Sequence, residues 1–357
     1  MTSLLDIDDD WENFCNNDFD VMPPDVNISD IATEVLENGE LPKCSDIYIS
    51  TKTKISYLSQ PVNLKDTFWK IKVSPYHTAQ NCIIKKQMKF NSFTEEDLND
   101  VMMRVKNEDY WEENIITRIV NPDGRIKFKD IRKISVGLCK KDILSYRIKK
   151  KSAFYNCFVV IMRIKHNDVF REIHIKVFNT GKLEIPGIQS DDLLTSVLEQ
   201  LIETLKTIIS PDITFMPDKN ETVLINSNFN CGFYINREKL YDILKYKYHI
   251  NSGYDPCSYP GIQCKFYYNK KTKEQTGQQP TEENINSYTK ISFMIFRTGS
   301  VLVVGKCNEE LLNEVYLFIK LMLQNEYLNI CGITPCKSDL NLTAKKRKIR
   351  KKTIITN

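Results

Sequence analysis

The chain has 357 residues, 41% of them apolar, and a formal net charge of +4, enough length and apolar content for one large or two ordinary domains with packed cores. No run of 18 uncharged apolar residues is present to cross a membrane, and the N-terminus has acidic residues where a secretion signal needs a basic start. Eleven cysteines are scattered with no Cys-x-x-Cys pair, and four histidines are dispersed, a pattern that argues against a disulfide framework, a zinc module or a histidine-based catalytic site and for a reducing, intracellular setting.

Residues 1–40 hold twelve Asp and Glu and no Lys or Arg, which leaves +16 on the other 317 residues. A basic body of this kind suits a polyanionic partner. The head, with Asp8-Asp9-Asp10-Trp11-Glu12-Asn13-Phe14 and Phe19, mixes carboxylates and aromatics and is expected to be disordered alone and to compete with nucleic acid for the basic surface.

An opening strand is expected at Ile47-Tyr48-Ile49-Ser50-Thr51, a helix over 95–105, a turn and strand at Gly124-Arg125-Ile126-Lys127-Phe128, and a basic run from Arg132 to Lys151. Then comes an apolar strand, Phe158-Val159-Val160-Ile161-Met162-Arg163-Ile164, followed by His174-Ile175-Lys176-Val177-Phe178, the turn Asn179-Thr180-Gly181, and the strand Lys182-Leu183-Glu184-Ile185. Gly in the turn answers a positive φ. Leu193-Leu194, Val197-Leu198, Leu201-Ile202 and Leu205 repeat apolar pairs at helical spacing after Asp191-Asp192.

The same order returns. Phe296-Arg297-Thr298-Gly299 lies 118 positions after Phe178-Asn179-Thr180-Gly181, followed by Val301 to Val304 and an amphipathic helix from Glu309. Tyr259-Pro260-Gly261-Ile262 and the strand through Lys265 precede it, and Val223-Leu224-Ile225-Asn226-Ser227 opens the second copy. The chain is therefore read as an internal duplication. The expected division is an acidic segment 1–43, a first repeat 44–210 carrying an insertion of 58 residues at about 80–150, a second repeat 211–330, and a basic tail 331–357. In that tail, Lys345 to Lys352 places seven positive charges in eight positions, a candidate for phosphate contact or nuclear targeting.

With both copies laid out, the sequence resembles the TATA-box-binding protein family, and most of all its divergent forms encoded by large DNA viruses. The carrying residues are Val159 to Ile164 with Val177 to Lys182 in copy one, and Tyr254-Asp255-Pro256, Tyr259-Pro260-Gly261-Ile262 and Met294 to Gly299 in copy two. The resemblance implies an α+β fold, a tandem-repeat saddle of curved antiparallel sheet with long helices on its convex face. It implies a transcription initiation factor, not an enzyme and without cofactor or metal. Such a factor binds and bends AT-rich promoter DNA through the minor groove, as a monomer, and recruits RNA polymerase or initiation factors. That work belongs in the nucleus or in a viral transcription compartment of the host cytoplasm.

Carried over by position, the DNA wedges fall on Phe178, Phe296 and Tyr259. The fourth wedge position holds Cys157, with Phe158, Tyr155 and Phe154 near enough to substitute. Phosphate-facing cations fall on Arg163, Lys182 and Lys265, turn contacts on Thr180, Thr298 and Arg297, opening-strand contacts on Ile49 and Ile225, and an apolar floor on Leu302 and Val304. The family's opening-strand asparagines are replaced by Ile47 and Val223, and copy one carries Glu184 and Pro186 on its floor. A carboxylate there opposes a groove lined by acceptors and phosphates, so a protein-binding platform with little DNA specificity is the alternative.

Overall fold

The computed structural model describes residues 42–144 and 156–332. The acidic head, the basic tail, and Phe154 and Tyr155 lie outside the described residues. Those described form two compact units, 53–221 and 42–52 with 222–332.

The first unit contains β1 (Tyr48–Tyr57, entering at Thr53), α1 (Leu64–Lys70), β2 (Cys82–Ser92), α2 (Glu95–Lys106), β3 (Trp111–Val120), β4 (Phe128–Gly137), α3 (Lys140–Leu144), β5 (Cys157–His166), β6 (Val169–Phe178), β7 (Lys182–Ile188) and α4 (Asp191–Lys206). The second contains β8 (Glu221–Asn230), α5 (Arg237–Asp242), β9 (Asn251–Gly253), β10 (Ile262–Asn269), β11 (Tyr288–Ile295), β12 (Ser300–Gly305), α6 (Glu309–Asn325) and α7 (Tyr327–Ile330). Strand order is β2-β5-β6-β7-β1 in the first and β9-β10-β11-β12-β8 in the second, the same arrangement of corresponding strands. The paired strands for which register is defined run antiparallel.

Between β2 and β5 the first unit inserts α2, β3, β4 and α3, and the two strands extend its sheet beyond β2 in the order β3-β4-β2. The helix expected over 95–105 is α2, closed by a capping box between Thr94 and Asp97.

In each unit one long helix covers one sheet face. Every apolar pair read from the sequence of α4, from Leu193 to Leu205, is buried against β5, β6 and β7, and α6 buries Leu312, Val315, Tyr316, Ile319, Met322 and Leu323. Ser190 and Asn308 cap the two helices by accepting from the amides of Leu193 (3.3 Å) and Leu311 (3.0 Å). Lys54 and Lys52 on β1 reach acidic residues in their first turns, Asp191 at 2.9 Å and Glu309 at 2.7 Å.

The hairpin tips are pinned identically. Gly181 N donates to Phe178 O and Gly299 N to Phe296 O, each at 3.0 Å. The Leu58 and Cys231 amides donate to Gly181 O (2.8 Å) and Gly299 O (2.9 Å), and the Val62 and Ile235 amides to Asn179 O and Arg297 O, both at 2.9 Å. These contacts set the correspondence of the opening segments at an offset of 173, shared by the caps Asn63 of α1 and Asn236 of α5. Pairing Ile49 with Ile225 is therefore three residues out of step, and copy one carries 55 extra residues, not 58.

Gly181 and Gly299 sit at φ +82° and +83°, and a Cβ added there would come within 2.7 Å of Gln60 O and 2.4 Å of Phe233 O. Positive φ alone costs an L-residue roughly 1–2 kcal/mol, and the carbonyl clash adds to it. Gly181→Ala and Gly299→Ala are each expected to destabilise the fold by about 2–4 kcal/mol. Denaturant titration checks this, and a loss below half that size would contradict the pinned-tip geometry.

Candidate nucleic-acid interface

Strand side chains alternate between two faces. With one face committed to the helices, the alternate residues fall on the other, and the two copies furnish it differently.

In the second unit Ile262, Cys264 and Phe266 of β10, Ile291, Phe293 and Ile295 of β11, Val301 and Val303 of β12 and Ile225 and Phe229 of β8 form the core. The opposite face therefore carries Gln263 and Lys265, Ser292 and Met294, Leu302 and Val304, and Asn226 and Asn228. Register sets Leu302 beside both Met294 and Asn228, and Val304 beside both Ser292 and Asn226. None of these positions holds a carboxylate. The amides donate to β1, Asn226 to Thr51 Oγ1 and Asn228 to Ser50 Oγ, both at 3.2 Å. Just beyond the strands, the half-buried rings of Phe296 and Tyr259 meet edge to face at 6.0 Å between centroids. Gly261 fits between them, since a Cβ there would lie 3.0 Å from the Phe296 ring and 3.1 Å from that of Tyr259.

The same face of the first unit is charged and covered. Lys176 and Glu184 are cross-strand partners and form an ion pair of 2.7 Å, so the carboxylate expected to repel DNA is neutralised in place. Arg163 donates to the carbonyls of Tyr76 and Thr78 (3.1 Å for the latter), stacks 4.4 Å from the Tyr76 ring centroid and pairs with Glu172 at 3.5 Å. Ile84, Cys139 and Ile161 form a small cluster with Tyr76 and Cys82 packed on it. The start of α3 is fastened over this face by Lys85 to Asp142 (2.7 Å), by the Cys139 amide to Asp142 (2.9 Å) and by the Lys140 amide to Glu172 (2.9 Å). Burial and the neighbouring Lys141 and Lys85 push His174 down to about 4, and burial next to Asp142 pushes the Cys139 thiol up to about 12.

Four sequence expectations change. Phe158 is fully buried in the helix-side core and presents nothing to a ligand, because its β5 position has the parity of Val160 and Met162. Ile225 is core for the same reason, and Ile49 packs against that core. Arg163 is 9% exposed and consumed by the Tyr76 segment, so it is neither phosphate-facing nor a solvated strand residue. Cys157, opposite Phe178, is also buried, its thiol raised to about 11 by desolvation.

Phe178 remains half-buried with Lys182 Nζ 5.4 Å from its ring centroid. Lys265 is half-exposed, and Leu302 and Val304 on the same face are 5% and 8% exposed. Thr180 and Thr298 are exposed in their turns, with Thr298 bonded to Ser300 at 3.3 Å, and the exposed Arg297 lies 6.0 Å from the Tyr234 ring centroid. Sequence reading missed Asn226 and Asn228, which alternate with the core residues Ile225 and Phe229 of β8, and Lys176, which hairpin counting outward from Val177 and Leu183 would have set opposite Glu184.

No family model matches the chain. It is similar to a curated protein of Acanthamoeba polyphaga mimivirus named "TATA-box-binding protein-like", at 30% identity over 218 residues, and spans just over half the length of that relative, 56% of each chain being covered. Among solved structures it matches the Methanococcus jannaschii TBP with a TM-score of 0.37 and 10% identity, over 79% of this chain and 99% of that one.

A histidine held neutral to about pH 4 in the folded state, against 6.5 when exposed, contributes stability that is present above 6.5 and lost as pH falls toward 4, because the unfolded chain binds the proton first. The unfolding midpoint should fall between pH 7 and 5 more steeply in the unsubstituted protein than in His174→Gln. Parallel pH curves for the two proteins would show that the first unit's face is open to water.

Proposed function

We propose that this protein is a transcription initiation factor of the TATA-box-binding type, which binds and bends AT-rich promoter DNA through the minor groove and recruits RNA polymerase machinery. The observation that carries the reading is the composition of the second unit's sheet face turned away from α6. Its floor is apolar, Asn226 and Asn228 supply amides, Lys265 supplies positive charge, and Phe296 and Tyr259 stand together at its end. A minor groove presents base acceptors between phosphates, and apolar wedges kink it by unstacking base steps. Similarity to the viral relative, together with the +16 charge outside the acidic head, supports the same reading. The protein acts through binding rather than catalysis, as a monomer, in the nucleus or in a viral transcription compartment of the host cytoplasm.

A second reading, a protein-binding platform with little DNA specificity, is favoured by one feature alone, the covering of the first unit's open face. Titration of AT-rich and GC-rich duplexes across a salt series separates the two. The DNA-binding reading expects affinity that falls linearly in log-log form with salt and a preference for the deformable AT-rich duplex. Equal, weak binding to both duplexes would favour the platform. Deleting residues 1–40 removes twelve negative charges and is expected to tighten DNA binding at moderate salt. Unchanged affinity would remove the head as a competitor.

A further inference from the structure

We propose that only the second copy enters the minor groove, so that the DNA is kinked at one place rather than at two related places. The inference rests on the DNA-binding reading above and assigns unequal work to the two copies within it.

Three differences carry it. The first is the wedge. Copy two sets two rings side by side, Phe296 and Tyr259, with Gly261 leaving room between them. Copy one has Cys157 across from Phe178, buried to 3% exposure, and the nearest alternative ring, Phe158, is locked in the core. Among the described residues, the half-buried Phe178 ring is crossed by its own Lys182 and has no second ring set beside it as Tyr259 is beside Phe296.

The second difference is the insertion. A groove-binding sheet must bring its floor to the base edges. In copy one Ile84 of β2 and Ile161 of β5 are overlaid by Tyr76 and by Cys139 at the start of α3, fastened through Arg163, Lys85, Asp142 and Glu172, while Glu184 and Pro186 on β7 stay half-exposed. In the second unit β9 leads to β10 without the α2 to α3 insertion; Ser292 and Met294 are half-buried, and Leu302 and Val304 beside them are 5% and 8% exposed. Opening the first face would break several charge-assisted bonds around partly buried groups, each a strong interaction in such surroundings.

The third is charge. Copy one places Glu172 and Glu184 on its open face, where ion pairs hold them neutral. Entry of DNA would set phosphates against the same lysine and arginine that these carboxylates occupy, with no net gain in pairing. Copy two has no carboxylate among its open-face strand positions from Gln263 to Lys265, Ser292 to Met294, and Leu302 to Val304.

The test uses the full chain on an AT-rich duplex with 2-aminopurine scanned through the site to report unstacking, and energy transfer between the duplex ends to report bending. Wild type should unstack a single step. Phe296→Ala and Tyr259→Ala should each abolish that signal and weaken binding by about tenfold or more, the loss of one buried ring. Phe178→Ala and Lys182→Ala should leave the unstacked step unchanged and shift affinity by less than about twofold. Thermal melting of each variant separates misfolding from lost contact, with Phe296→Leu as a conservative second variant expected to fold and still lose unstacking. Two unstacked steps, or equal losses from Phe178→Ala and Phe296→Ala, would overturn the proposal while leaving the DNA-binding reading intact. Wild type that binds no duplex would instead defeat that reading, and this one with it.

Discussion

The period-two alternation of the strands governs the whole molecule. Once the α4 and α6 faces demand every second residue of β5 to β7 and β10 to β12, the remaining residues are fixed on the other face and cannot be exchanged without moving a core side chain into water. What the protein can bind is therefore settled by which residues fall on that leftover face.

The two copies answer this constraint with the same scaffold and opposite surfaces. Both pin the hairpin tip to the segment after the opening strand through matched amides, and both begin the long helix with a side-chain cap and acidic residues met by a β1 lysine. On the leftover face copy two keeps an apolar and amide surface, while copy one has become a salt-bridged second interface for its own insertion. Buried polar groups of this kind are retained only when every member has a partner, and Arg163, Glu172, Asp142 and Lys85 do. The insertion thus does two separate things. Its β3 and β4 widen the sheet, and its α3 end covers it.

The candidate site was legible to different depths. Phe296, Tyr259, Leu302 and Val304 could be found because a repeated turn with a required glycine fixes the register of everything near it. The constraint on register weakens with distance from such a mark. The opening strands are far from the turn and free of any glycine or proline of their own, so their pairing is three residues out of step, and without a fixed parity Ile225 was brought forward in place of Asn226 and Asn228. Arg163 looked available because a charged residue inside an apolar strand reads as solvent-facing, whereas its partners are backbone carbonyls more than eighty residues away in sequence.

By itself the sequence determined the duplication, the hairpin turns, the two long helices and their buried stripes, since each depends on residues within a few positions of one another: a glycine at positive φ, an apolar pair every turn, an oxygen-bearing cap. Only the tertiary structure decided that Glu184 is paired, that Arg163 is consumed and that Ile84 and Ile161 of the first copy lie beneath Tyr76 and Cys139. Those outcomes depend on the electrostatic and packing environment supplied by distant segments, and a charge has no fixed meaning in a chain until its neighbours in space are known.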